Sequence, residues 1–286
     1  MRKMAIGLLV IAAACGPNRM SPNGDDDSGG DAGGGGGGDG GGGGSGSGGG
    51  SYTVYAHSDT VLYSIDLANK SLVTVGSFNS PNKEAMTDLA VGTDGTIYVI
   101  SETFLYTASS STGQVTELGP MSDCGSDTVA LTTTASGQIW AGDFAGNLCE
   151  IDVSVSPPTI GAPEKMGNSM ALTGDFVGVS DGTIFGTAYD LGDKSGSGTQ
   201  ANNVLVKVDL SSGAVTALGS TGYPQLYGVA FQEGQVFGFT HDGTGRVVTI
   251  DTTTGVGTLF GTFMDPQTQK GISFAGAGVN ALVQIF

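Results

Sequence analysis

The sequence predicts an all-β domain made of repeated four-stranded antiparallel units. Three observations point there. Apolar and polar residues alternate over short runs, and no long stretch shows helical spacing. Gly, Thr, Ser and Val dominate, as short strands and tight turns require. One pattern of strand, turn and strand recurs through residues 52–286.

The clearest unit is MTDLAVGTDGTIYVISETFLYTASSSTGQVTELG, residues 86–119. Asp88–Val91 reads as an inner strand and Thr93–Thr96 as a tight turn, because Asp-Gly tolerates positive φ. Ile97–Ile100 is a β-branched and aromatic strand, Phe104–Thr107 a third, and Gln114–Gly119 a fourth. Four such strands in about 35–45 residues make one blade of a β-propeller.

The third and fourth strands recur in order along the chain. Leu62–Asp66 precedes Leu72–Gly76, Leu148–Asp152 precedes Thr159–Gly161, Leu205–Asp209 precedes Ala214–Gly219, and Val247–Asp251 precedes Gly257–Gly261. The first two strands recur around Ser136-Gly137, Asp181-Gly182 and Glu233-Gly234. Gly192–Asn203 reads as a loop between a second and a third strand. Tyr52–Gly76 lacks a first strand, which Ile272–Ala275 supplies if the chain ends pair to close the ring. Five blades are therefore preferred over six. Ala281–Phe286 is then surplus, or the start of a partial sixth blade, and an open sandwich or solenoid of the same hairpins is the remaining alternative.

Asp94–Val99, DGTIYV, is similar to the "DGxIYV" core of extracellular propeller repeats of the YVTN and NHL type, and the five recurring strand–turn–strand copies match the second half of such blades. The resemblance covers most of residues 52–286 and implies the propeller fold. That family spans binding modules, scaffolds and a minority of enzymes, so it implies no single function.

Before the domain come two segments of different character. Residues 1–14 have the pattern of a signal peptide: Arg2 and Lys3, then an apolar run, Met4–Ala14, too short to span a bilayer. Ile11–Cys15 resembles the lipobox of bacterial lipoproteins. The resemblance implies cleavage before Cys15, acylation of Cys15, and, with Gly16 following, sorting to the outer membrane of a Gram-negative cell, facing the periplasm or the surface. Residues 15–51, rich in Gly, Asp and Ser, cannot bury enough apolar surface to offset chain entropy and read as a disordered tether. Such a tether has an r.m.s. reach of roughly 30–35 Å.

Composition excludes several chemistries. The chain carries 27 acidic and 10 basic residues, a net charge of −17, which disfavours nucleic acid and anionic membrane surfaces as partners. Two histidines cannot build a His-rich metal site, and no HExxH, CxxC, Walker or GxSxG motif occurs. The single tryptophan, Trp140, sets the chain apart from quinone-cofactor propellers, whose blades resemble one another in a repeated tryptophan.

The candidate site residues are few. Asp88, Asp127 and Asp175 stand at or just before inner strands, where three carboxylates converging on the channel mouth could hold Ca²⁺; satisfying local backbone donors is the competing role. Asp66, Asp152, Asp209 and Asp251 end third strands and read as turn caps. His57 and His241 occupy matching places and read as surface turn residues, since equivalent points on neighbouring sheets lie on the order of 10 Å apart. Cys124 and Cys149 are the thiols left once Cys15 is lipidated, and in an oxidising compartment they form a natural pair.

Together these point to a lipid-anchored envelope propeller that binds a protein or glycan without catalysis and without a cofactor. The alternatives are a carboxylate- or Ca²⁺-dependent hydrolase or lyase at the channel mouth, and a passive envelope spacer.

Overall fold

A computed structural model describes residues 53–125, 127–191 and 202–282. The expected signal peptide, Cys15 and the tether lie outside the described residues, as does most of the Gly192–Asn203 loop.

The domain is a five-bladed β-propeller. Blade 1 contains β1 (Val54–His57), β2 (Val61–Asp66) and β3 (Ser71–Ser77). Blade 2 is β4 (Met86–Val91), β5 (Ile97–Ser101), β6 (Phe104–Ala108) and β7 (Val115–Pro120). A 3₁₀ turn at Ser122–Cys124 leads to blade 3, with β8 (Thr128–Thr133), β9 (Ile139–Asp143) and β10 (Asn147–Asp152). Two short segments, β11 (Thr159–Ile160) and β12 (Glu164–Lys165), share the outer edge of that blade. Blade 4 is β13 (Met170–Gly178), β14 (Ile184–Asp190), β15 (Asn202–Val208) and β16 (Val215–Pro224). Blade 5 is β17 (Leu226–Gln232), β18 (Gln235–Thr240), β19 (Arg246–Ile250) and β20 (Gly257–Thr262). Finally β21 (Gly276–Gly278) returns to blade 1 and pairs with β1, giving the order β21-β1-β2-β3.

All strand pairs within blades are antiparallel, with Ala277 opposite Ala56 where the chain ends meet. The inner strands β21, β4, β8, β13 and β17 pack side by side in a closed ring. Edge closure of this kind removes the exposed strand that an open sheet would present. The closing strand lies later than the sequence suggests. Ile272–Ala275 approaches the ring along the ends of β18 and β1, and only Gly276–Gly278 forms the inner strand. Small residues decide this, because nothing larger fits against the neighbouring β4: a Cβ on Gly278 would stand 2.8 Å from Leu89.

Cores lie between blades rather than at one centre. Tyr63, Phe231, Phe239 and Phe274 pack between blades 5 and 1, and Trp140, Leu172, Phe176 and Val206 between blades 3 and 4. The outer strands β3, β7 and β20 are only partly buried, as expected for strands with one solvated face. Cys124 and Cys149 are buried and joined in a disulfide, with Cα atoms 5.7 Å apart, tying the connection between blades 2 and 3 to β10.

Candidate functional site

Among the described residues, polar groups gather in the channel, where inner strands converge, and in a cleft on the face formed by the first-to-second and third-to-fourth strand hairpins.

The channel is occupied by a carboxyl pair. Asp88 in β4 and Asp175 in β13 are both fully buried and hydrogen-bond to one another. A register shift between Met86 and Asp88 interrupts the β4–β5 ladder, and a bulge of this kind re-aims a side chain. Asp88 Oδ1 accepts from the Leu89 amide at 2.7 Å, and Oδ2 from the Leu131 amide of β8 at 2.6 Å. Asp175 Oδ1 accepts from Phe176 at 2.6 Å and Oδ2 from Val229 of β17, and Ala277 of β21 also bonds to it. The pair thereby links the inner strands of all five blades. Burial, and then the neighbouring Asp175 charge, push Asp88 well above the usual carboxylate range, and burial pushes Asp175 up as well. Two buried carboxyls in contact cannot both ionise readily, so they share a proton.

Asp127 does not join them. It lies just before β8 at a φ of 65°, exposed to solvent. Among the described residues no group of three or more His, Cys, Asp or Glu side chains is placed to hold a metal ion. Asp88 and Asp175 satisfy backbone donors, and three of the five, Leu131, Val229 and Ala277, belong to other blades.

The two histidines differ from the expectation of surface turn residues. His57, the last residue of β1, is completely buried because the closing segment lies over it. Its Nδ1 donates to Ser58 O at 2.8 Å, while Nε2 has no hydrogen-bond partner. Burial lowers its pKa to about 4. A Cβ placed on Gly276 would stand 2.2 Å from Asp88 Oδ1 and 2.5 Å from His57 Nε2, so only glycine fits between them. His241 is half-buried and stacks on Tyr227, with ring centroids 4.7 Å apart. The alternation of Tyr55 and His57 within one strand was the available signal for an inward His57, since residues two apart share a face.

The third-strand aspartates cap turns. Asp66, Asp152, Asp209 and Asp251 each accept a backbone N–H two or three residues on, at 2.8–3.0 Å. Side-chain hydrogen bonds within the turn (Asn69, Ser154 and Ser211), with the backbone N–H groups, hold Asp66, Asp152 and Asp209 below the usual carboxylate range, and backbone N–H groups do so first for Asp251.

The cleft lies between blades 3 and 4 and has a volume of about 890 Å³. Trp140, Ile184, Val208 and Leu210 form an apolar floor, and Ser136, Gln138, Asp181, Thr183, Lys207 and Ser211 rise around it. Much of the wall is held by its own turns: Asp181 Oδ1 accepts from Thr183 N, and Asp209 Oδ1 from Ser211 N and Oγ. Lys207 lies over the Phe185 ring, 5.5 Å from its centroid. Sequence reasoning did not single out this cleft, because its walls come from two blades and only Trp140 stands out by type.

No family profile matches the chain, and no curated protein matches it in sequence. Solved structures do match in shape. A structure of a nidogen/laminin complex aligns at 14% identity with a TM-score of 0.52, covering 82% of this chain and 99% of that one. Virginiamycin B lyase from Staphylococcus aureus aligns at 15% identity and TM-score 0.41, covering 74% of this chain and 66% of the lyase. TolB from Acinetobacter baumannii aligns at 18% identity and TM-score 0.45, covering 77% of this chain and 51% of TolB. The chain thus spans just under two thirds of the lyase and about half of TolB. The first of these likenesses bears on the fold alone.

Proposed function

We propose that this chain is a non-catalytic binding module, held to the cell envelope through an acylated Cys15 and displayed on the residue 16–51 tether, and that it takes a protein segment or glycan chain in the cleft between blades 3 and 4. The cleft carries this reading. It is an open concave surface of about 890 Å³ with an apolar floor that includes Trp140 and a hydroxyl-rich wall, a combination suited to polar ligands with apolar faces. The channel carboxyls, by contrast, are fully buried and engaged with backbone amides, which leaves no reacting group open to a substrate there.

Trp140 is the only tryptophan in the chain, so intrinsic fluorescence reports directly on the cleft. Titration of the full chain with oligosaccharide and peptide libraries should give saturable changes in emission for a binding class. Ser136→Arg and Ser211→Arg, both on exposed turns, should abolish them without lowering thermal stability. Binding that persists in both variants, or binding without any change at Trp140, would place the ligand elsewhere.

A further inference from the structure

The floor of the cleft between blades 3 and 4 holds an unused donor. Trp140 is only 9% exposed and belongs to the same packed cluster as Leu172, Phe176, Ile184 and Val208. Its indole N–H has no hydrogen-bond acceptor among the described residues, yet it is not one of the buried polar atoms that lack a partner. The N–H therefore lies in the small part of the ring left open, and that part opens on the cleft that Trp140 lines. A ring so thoroughly covered offers an edge rather than a face, so a sugar ring finds nothing flat to stack on.

The rim supplies charge. Asp181 and Asp209 are exposed turn residues of blade 4 that line the same cleft. Asp181 Oδ1 accepts from Thr183 N, and its Oδ2 takes no hydrogen bond from any described residue. Among the described residues the one ion pair is Arg246–Asp242 in blade 5, so neither cleft carboxylate is neutralised. Lys207 also lines the cleft, but its ammonium lies over Phe185, whose ring stacks on Phe231 of blade 5. Its neighbour Val208 faces the other side of the sheet and joins the cluster around Trp140.

Resting on the binding-module reading above, we propose that the ligand is a basic peptide segment. A main-chain carbonyl accepts the Trp140 N–H. A Lys or Arg side chain lays its methylene stem along Ile184 and Leu210 and sets its cation against Asp181 and Asp209. Each group in the cleft thereby meets its complement. An indole N–H only donates, so it requires an acceptor. Carboxylates only accept, and a charged donor gives them the stronger bond. A ligand carboxylate or phosphate would satisfy the indole but meet two negative charges. A neutral sugar would leave those charges without a cation. The net charge of −17 favours the approach of a cationic ligand.

Calorimetric titration of the full chain with a blocked Gly-Lys-Gly-Lys-Gly peptide, its Glu counterpart and cellopentaose tests this. The Lys peptide should bind with a Kd below about 1 mM and weaken as salt rises from about 50 to about 500 mM. It should also move the single indole N–H resonance of the ¹⁵N-labelled chain. The Glu peptide should not bind. Trp140→Phe keeps an aromatic floor without the donor and should weaken binding about 3- to 10-fold. Asp181→Asn with Asp209→Asn, in exposed turns that Asn also caps, should weaken it about 10-fold or more and remove most of the salt dependence. If Trp140→Phe does not fold, the wild-type indole resonance and the Asn variant decide. A Lys peptide that fails to bind, an unmoved indole resonance, or equal affinity in the Asn variant would each overturn the inference. Cellopentaose bound in preference to the Lys peptide, and lost in Ser136→Arg, would overturn it while keeping the cleft as the binding site. Lys-peptide binding that survives Ser136→Arg would overturn the cleft reading as well.

Discussion

Replacing Asp88 should damage the domain more than any surface change, and the size of the effect follows from its partners. In Asp88→Ala the buried amides of Leu89 and Leu131 lose their acceptors. Each unpaired buried donor costs about 1–3 kcal/mol. Asp175 also loses the group that shares its proton. Together these give a loss of about 3–5 kcal/mol, or roughly 10–15 °C in Tm for a domain of this size. Asp88→Asn keeps one acceptor and gains an N–H donor toward Asp175, so it should lose only about 1–2 kcal/mol. Urea unfolding of the three proteins followed by far-ultraviolet dichroism measures the order. An Asp88→Ala protein within about 1 kcal/mol of wild type, or an Asn variant as damaged as the Ala variant, would refute the channel pair as a structural hub. The pH dependence adds a second check. Both carboxyls are raised in the folded state, so their contribution is complete at low pH and is lost as pH rises through the raised value. The margin of wild type over Asp88→Asn should therefore narrow as pH rises above the ordinary carboxylate range.

Three further outcomes are expected. The denatured, unreduced domain should show no free thiol at Cys124 or Cys149, and Cys124→Ser with Cys149→Ser should lower stability by about 3 kcal/mol for a loop closed over 25 residues; two free thiols per chain would defeat the pairing. Deleting Gly271–Phe286 removes β21 and exposes the edge of β1, so the truncated domain should melt far below its parent and aggregate on size exclusion; an unchanged Tm would argue against ring closure. Cys15→Ser should move the protein from the detergent phase to the aqueous phase on phase partitioning, and continued detergent partitioning would exclude lipidation at that residue.

The sequence by itself determined the local architecture. Asp94-Gly95, Ser136-Gly137 and Asp181-Gly182 each sit in a tight hairpin between paired strands, with the glycine at a φ of 86–87°. These features are set by residues a few positions apart, and their turn chemistry and alternation are written in the chain. The third-strand aspartates were legible as caps for the same reason. The tertiary structure decided what depends on ring closure. Asp88 bonds to an amide 43 residues away and Asp175 to one 54 residues away, and no local pattern distinguishes them from Asp127, which faces solvent one residue before its strand. His57 is buried because a segment from the far end of the chain covers the end of β1, with Ala275 bonded to it. The place of the closing strand was likewise set by space: Gly276 and Gly278 fit between β1 and β4 where the larger Ile272 and Phe274 do not. A strand's side chains follow from its own sequence, whereas which of them meet at the channel follows from how five separate sheets are packed against each other.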